Sequence, residues 1–132
     1  MKKIMCYLVA AFGIAAFTAA ASVAADKIAD VNPAKALDII KNNKNVMIID
    51  VRTPGEYNEG HFEGAINLDY NGGVFKEKIS GYDKNNAYVL FCRSGRRSKA
   101  ALDIMKELGF KEVYNIEGGM LKWNEEKLPL KK

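Results

Sequence analysis

A single cysteine past the middle of the chain stands among residues that could make it reactive. Residues 89–98 read VLFCRSGRRS, so Cys92 directly follows an apolar run and precedes a helical pattern. Gly95 permits a tight turn in which successive backbone N–H groups converge on one point. The start of the next helix adds partial positive charge, and Ser98 is expected to cap it. These features favour a thiolate, and they predict a nucleophilic sulfur whose pKa lies below that of an ordinary cysteine.

The same loop is rich in groups that bind anions. Its arginines add full positive charge to the backbone donors, so we expect the loop to hold a negatively charged substrate. The candidate substrate-binding residues are Arg93, Ser94, Gly95, Arg96, Arg97 and Ser98. Taken singly, each has a plainer explanation, as a turn residue or a solvated surface charge, and a lone cysteine is often a buried, inert thiol. Their concentration around Cys92 favours the functional interpretation.

A second polar segment follows another apolar run. Residues 50–61 read DVRTPGEYNEGH and hold three acids, an arginine and His61, the one histidine of the chain. A lone histidine suggests a general base, but a loop that already stabilises a thiolate needs none. We therefore expect a structural role for His61.

The elements that must position these loops alternate between strands and helices. Short apolar strands are predicted at 46–51, 65–68, 88–91 and 112–116, with a weaker one at 27–31. One helix should start at the N-cap Asn32 with Pro33 in its first turn. A second should run through RRSKAALDIMKEL and stop at Gly109, and a short third should follow within GGMLKWNEE.

Strands that are apolar on both faces and separated by helices predict an α/β fold, a mostly parallel sheet with helices on both faces. In such sheets ligands bind beyond the carboxyl ends of the strands, where both polar loops would lie. The length of 132 residues suits one domain. A net charge of +4 is too mild and scattered to indicate a nucleic-acid partner.

The first 25 residues have the composition of a secretory signal peptide. A basic MKK start precedes an uncharged apolar run, and Val23 and Ala25 fit the small-residue pattern before a cleavage at Asp26. An uncleaved membrane anchor is the alternative. We expect a leader at 1–25, a domain at 26–132, and a periplasmic or secreted protein with no membrane contact after cleavage. Cleavage would remove Cys6 and leave Cys92 as the one thiol.

Three quoted stretches together resemble the rhodanese-like family. CRSGRRS matches its active-site loop, IIDVRTPGEYNEGHFEGAINL resembles the signature before that loop, and GGMLKW resembles its closing motif. The resemblance covers roughly residues 28–128 in the right order. Glu63 and Phe62 depart from the common residues of the family, at positions away from the chemistry.

The resemblance implies a five-stranded, mostly parallel sheet and a sulfurtransferase. Cys92 would take a sulfane sulfur from thiosulfate or a similar small anionic donor, form a persulfide, and pass the sulfur to a thiol or protein acceptor. It further implies that Asp50 pairs with Arg97 to hold the loop, while Arg52 and Glu56 support the same region. No cofactor or metal is expected, since one Cys and one His make no ligand cluster.

Other functions stay open at this stage. A persulfide carrier or sulfur-binding module acting with a partner needs the same loop as an enzyme. A phosphatase of similar architecture uses a loop one residue longer between its cysteine and its arginine, so phosphate chemistry is disfavoured. A disulfide oxidoreductase needs a second cysteine nearby, which the sequence lacks.

Overall fold

A computed structural model describes residues 25–130, so the predicted leader, apart from Ala25, lies outside the described residues. The strands are β1 (Lys27–Val31), β2 (Met47–Asp50), β3 (Ile66–Asn67), β4 (Ala87–Phe91) and β5 (Glu112–Ile116). The helices are α1 (Pro33–Asn42), α2 (Pro54–Glu59), α3 (Phe75–Ile79), α4 (Arg96–Glu107) and α5 (Gly119–Glu125).

The strands form one parallel sheet in the order β1-β5-β4-β2-β3. Its central strand, β4, is buried at all five positions. Tyr88 and Leu90 pack on the face that α3 and α4 cover, while Val89 and Phe91 pack on the face that α1 and α5 cover. The predicted α/β fold with helices on both faces is therefore confirmed.

The predicted elements agree with the structure to within one or two residues at their ends. β1 and β5 have the predicted bounds, and the strands predicted at 46–51 and 65–68 are shorter, at 47–50 and 66–67. Asn32 caps α1 as expected, because its side chain accepts a hydrogen bond of 2.8 Å from the Lys35 N–H. α4 ends at Glu107, two residues before the predicted stop at Gly109.

Two short helices were not predicted. α2 lies inside the segment expected to be a loop, and a capping box at its start joins Thr53 to Glu56. α3 spans five residues, too few to show a helical period in the sequence. Over residues 25–130, no helix has both the length and the apolar character needed to cross a membrane.

Candidate active site

The two polar loops meet at the carboxyl ends of neighbouring strands, as predicted. Asp50, the last residue of β2, lies in register with Phe91, the last residue of β4. Just beyond them, the Val51 N–H donates a hydrogen bond of 3.0 Å to the Phe91 carbonyl. Cys92 therefore emerges from the middle of the sheet, beside the segment that carries Arg52 and Glu56.

The sulfur of Cys92 is enclosed by hydrogen-bond donors. The residue is fully buried, the Gly95 N–H donates to Sγ at 3.0 Å, and the Ser98 hydroxyl lies 3.4 Å from Sγ. Gly95 has φ of +93°, in the left-handed region that favours glycine, and it is the N-cap of α4. The expectation that Ser98 caps the helix is wrong. Ser98 is the third residue of α4, whose N-cap is Gly95, and its hydroxyl points at the sulfur.

These donors determine the ionisation of Cys92. Burial raises the pKa of Cys92, but hydrogen bonds from the Ser98 hydroxyl and from the backbone of Ser98, Ser94 and Gly95 lower it. The net pKa lies below that of an ordinary thiol, in the direction that the sequence predicted. The thiolate is therefore the form that this loop favours.

The predicted pairing of Asp50 with Arg97 is wrong. Both Asp50 oxygens accept hydrogen bonds from Arg52, at 2.7–3.1 Å from the guanidinium and 3.0 Å from the backbone N–H. The side chains of this pair are 0% and 9% exposed. Arg52 also donates to the Gly60 carbonyl at 2.6 Å. Arg52 lies only two residues after Asp50, and its guanidinium donates to both oxygens of that carboxylate. The ion pair therefore forms within residues 50–52 and stabilises that segment.

Arg97 instead pairs with Glu56. Two parallel bonds of 2.8 and 3.1 Å join the guanidinium to the carboxylate, linking α4 to α2. The hydrogen bond from Arg97 lowers the pKa of Glu56 to about 2, against the raising effect of burial. Glu56 in turn raises the pKa of Arg97, and attraction to Cys92 adds to that effect. Glu56 therefore supports the cysteine loop, as expected. It does so by pairing with Arg97, which the sequence analysis had paired with Asp50.

The outer half of the cysteine loop is held by backbone groups of α5. The Met120 N–H donates to the Cys92 carbonyl at 2.9 Å, and the Leu121 N–H donates to the Arg93 carbonyl at 3.0 Å. Gly119 has φ of +57°, and a Cβ there would come within 2.6 Å of the Arg93 carbonyl oxygen. The GGMLKW motif therefore works as a backbone clamp on the loop.

A cavity of about 470 Å³ opens beside the loop. Arg93, Arg52, Glu56 and Glu59 contribute its charged lining, and Met120 and Leu121 contribute apolar surface. Arg93, Ser94 and Arg96 are exposed, whereas Gly95 and Ser98 are buried against the sulfur. Five of the six residues predicted to bind substrate therefore divide into an inner set around Sγ and an outer set that faces solvent, while the sixth, Arg97, is half-buried and pairs with Glu56.

The remaining aromatic residues of interest have structural contacts. His61 stacks on Tyr57 with ring centroids 3.7 Å apart, and its Nδ1 lies 2.9 Å from the Tyr57 carbonyl. These contacts agree with the structural role expected for His61. Trp123 is 1% exposed and packs against Phe62 in the core.

Sequence reasoning missed one contributor to the site, Asn115, and gave the wrong role to the hydroxyl of another, Ser98. The Ser98 hydroxyl was assigned to the helix backbone, and Asn115 was not considered although its side chain contacts the Gly95 carbonyl. A polar residue inside the apolar β5 stretch EVYNI was the available signal for Asn115. Within residues 25–130, no group of three or more His, Cys, Asp or Glu side chains is placed to hold a metal ion.

Comparison with known proteins defines the family. The family model for the rhodanese-like domain matches residues 32–126. A solved structure of a rhodanese-related protein from Thermoplasma volcanium is 32% identical with a TM-score of 0.65, covering 76% of this chain and 95% of that one. The chain therefore belongs to the rhodanese-like domain family.

Two curated relatives that contain this domain have different named activities. A candidate sulfurtransferase of Bacillus subtilis, YtwF, is 36% identical over 103 residues, which are 78% of this chain and 97% of that protein. A tRNA uridine(34) hydroxylase of Buchnera aphidicola is 35% identical over 96 residues, which are 68% of this chain. The match spans only 30% of that hydroxylase. The activity of this chain must therefore be argued from its own site.

Proposed function

We propose that this protein is a sulfurtransferase that carries a sulfane sulfur on Cys92. The observation that carries the proposal is the enclosure of Sγ by the Gly95 N–H and the Ser98 hydroxyl, with a pKa lowered by these and neighbouring donors. Such donors stabilise a thiolate before the reaction and a persulfide anion after it.

The proposed reaction proceeds in two displacements. The Cys92 thiolate attacks the outer sulfur of thiosulfate, a new S–S bond forms, and sulfite leaves with the electron pair of the broken bond. An acceptor nucleophile, cyanide in an assay or a thiolate, then attacks the outer sulfur of the persulfide. The S–S bond to Cys92 breaks and the original thiolate is regenerated. The atoms and electrons balance without a separate oxidant or reductant.

The charges around the cavity indicate which arginine meets an anionic donor. Arg52 and Arg97 already bind carboxylates, so their charges are neutralised within the protein. Arg93 lines the cavity, is exposed, and pairs with no carboxylate in residues 25–130. We propose Arg93 as the first contact of the donor anion, with the backbone donors of the loop receiving the transferred sulfur.

A carrier that delivers its persulfide to a partner protein is the second candidate. One observation favours it: Leu121 is 53% exposed at the rim of the cavity, where an apolar side chain could contact a protein acceptor. Steady turnover with thiosulfate and cyanide indicates an enzyme sufficient by itself. Rapid persulfide formation followed by transfer only to a protein acceptor, weakened by Leu121→Ser, indicates a carrier.

The test of the proposed function is a steady-state assay with thiosulfate and cyanide on the wild type and on Cys92→Ser. Serine has nearly the same size but is hardly ionised at neutral pH and forms no persulfide. The variant should melt close to the wild type and lose all transfer. Transfer by the folded serine variant would overturn the proposal.

We also propose that the protein is exported, on the basis of the signal-like composition of residues 1–25. Amino-terminal sequencing of the protein from its native cell should find Asp26 first. Recovery of Met1 in a membrane fraction would show an anchor instead.

A further inference from the structure

Asn115 is a polar residue in the buried part of β5, beside the cysteine loop. The residue is 3% exposed. Its Nδ2 donates to Asp30 Oδ1 at 3.0 Å and to the Gly95 carbonyl at 3.4 Å. Within residues 25–130, its Oδ1 is the buried side-chain polar atom that finds no hydrogen-bond partner.

The unpartnered oxygen follows from what surrounds the amide. Asp30 Oδ1 and the Gly95 carbonyl are both acceptors, so the amide must turn its NH2 group toward them. The other orientation would place oxygen against oxygen. A buried acceptor without a partner is unfavourable. Because the fold accepts an unpartnered Oδ1 here, we infer that the important contribution of Asn115 is donation by its Nδ2.

The recipient of that donation is the residue that contacts the sulfur. The Gly95 N–H donates to Sγ at 3.0 Å, so a rotation of Gly95 would move this donor off the sulfur. The Gly95 carbonyl also accepts the Lys99 N–H at 3.1 Å, in the first turn of α4. The nitrogen of Gly118 lies 3.1 Å from where a Cβ on Gly95 would stand. Gly95 is therefore confined by Gly118 and by the first turn of α4, and Asn115 is the side chain that fixes its carbonyl.

We propose that Asn115 is a positioning residue that holds Gly95 in the orientation needed to stabilise the sulfur anion on Cys92. The proposal rests on the proposed function, since it assigns Asn115 to the same persulfide site. Asn115 acts through Gly95 and does not itself touch the sulfur.

The contact chain continues from Asn115 to the surface. Asp30, in the edge strand β1, also pairs with Lys99 Nζ of α4 at 3.3 Å, and both side chains are partly exposed. The other charged groups near the cysteine loop are Arg97 from α4, Glu56 and Glu59 from α2, and the Asp50–Arg52 pair after β2. Arg93 and Arg96 belong to the loop or its helix start. None of these charged side chains donates a hydrogen bond to the Gly95 carbonyl, so a change at Asn115 removes no contact of theirs.

The test measures alkylation of Cys92 by iodoacetamide as a function of pH in the wild type and in Asn115→Leu. Leucine has a similar size and removes both the donor and the unpartnered oxygen. We expect the midpoint of the pH profile to rise and the rate at pH 7 to fall about threefold or more, because less thiolate is present. Tyr114→Phe is the matched control. It removes a hydroxyl at the neighbouring position of β5, and that hydroxyl donates to Glu112 rather than to the cysteine loop. Its profile should equal that of the wild type.

The outcomes separate positioning from mere support of the fold. A lower melting temperature with an unchanged pH midpoint in Asn115→Leu would overturn the proposal. If that variant does not fold, Asn115→Ala decides, because it removes the same donor with a smaller side chain: a raised midpoint supports the proposal and an unchanged one contradicts it. Sulfur uptake by the wild type from thiosulfate tests the proposed function separately. A midpoint shift without such uptake would sustain the role of Asn115 and reject the sulfurtransferase.

Discussion

The cysteine loop is held on its two sides by different kinds of interaction. On the β2–α2 side, ionised side chains hold the region: Asp50 pairs with Arg52, and Glu56 pairs with Arg97. On the β5–α5 side, backbone N–H groups of Met120 and Leu121 bind the loop carbonyls. The charged side can respond to pH and to substitution of one charge. The backbone side responds only to changes in chain geometry, so the two sides should fail in different ways.

The largest expected effect is on the charged side, at the buried pair. Asp50→Ala leaves the Arg52 guanidinium without its carboxylate at 9% exposure. We expect a loss of about 3–5 kcal/mol in the free energy of unfolding, the cost of leaving one buried charge unpaired. Denaturant unfolding measures it. Asp26→Asn, which breaks the exposed pair with Lys111, is the matched control and should cost less than about 1 kcal/mol. Equal losses in the two variants would show that burial does not distinguish these pairs.

The backbone side should be sensitive to a single methyl group. Gly119→Ala places a Cβ against the loop carbonyls at a positive φ. We expect a loss of about 2–4 kcal/mol from overpacking and backbone strain, with slower sulfur transfer because the loop is displaced. Gly109→Ala also has a positive φ, but a Cβ there meets nothing within 4 Å. This control should lose stability by strain alone and keep its transfer rate. Normal transfer in folded Gly119→Ala would contradict the clamp.

The smallest effect is expected at the partly exposed pair of the charged side. The Glu56 pKa, about 2 in the folded protein, lies below its value in the unfolded chain, near 4.5. Glu56 therefore adds stability above about pH 4.5, and this contribution is lost as the pH falls toward 2. Glu56→Gln should cost about 0.5–1 kcal/mol at pH 7, since the pair is partly solvated, and much less at pH 2, where Glu56 is largely protonated even in the folded chain. Unfolding curves at the two pH values measure the difference. The same loss at both would exclude a charge effect.

The sequence predicts the strands and helices of this protein better than its side-chain ion pairs. Strands β4 and β5 and helix α4 follow from apolar runs and helical periodicity, and these place Cys92 at the end of a central strand. The pairing of Asp50 with Arg97 failed because several charges crowd two loops, and the partner of each depends on orientation. α2 turns Glu56 toward Arg97, and a six-residue helix with a weak pattern gives no warning of that.

Two further features depend on contacts between residues distant in the chain. Asn115 and Asp30 are 85 residues apart, and Gly119 is confined by carbonyls of a loop 26 or more residues earlier. Local pattern does not encode such contacts. The motif GGMLKW marked the α5 clamp in the sequence, but the absence of room for a Cβ at Gly119 becomes visible only in three dimensions.

The most direct test of the central claim is the intact mass of the protein after incubation with thiosulfate and removal of excess reagent. The account predicts a gain of one sulfur atom per chain, located on Cys92 by fragmentation and reversed by cyanide or a thiol. Cys92→Ser should gain none. An unchanged mass for the folded wild type, or a sulfur located elsewhere, would contradict the persulfide mechanism.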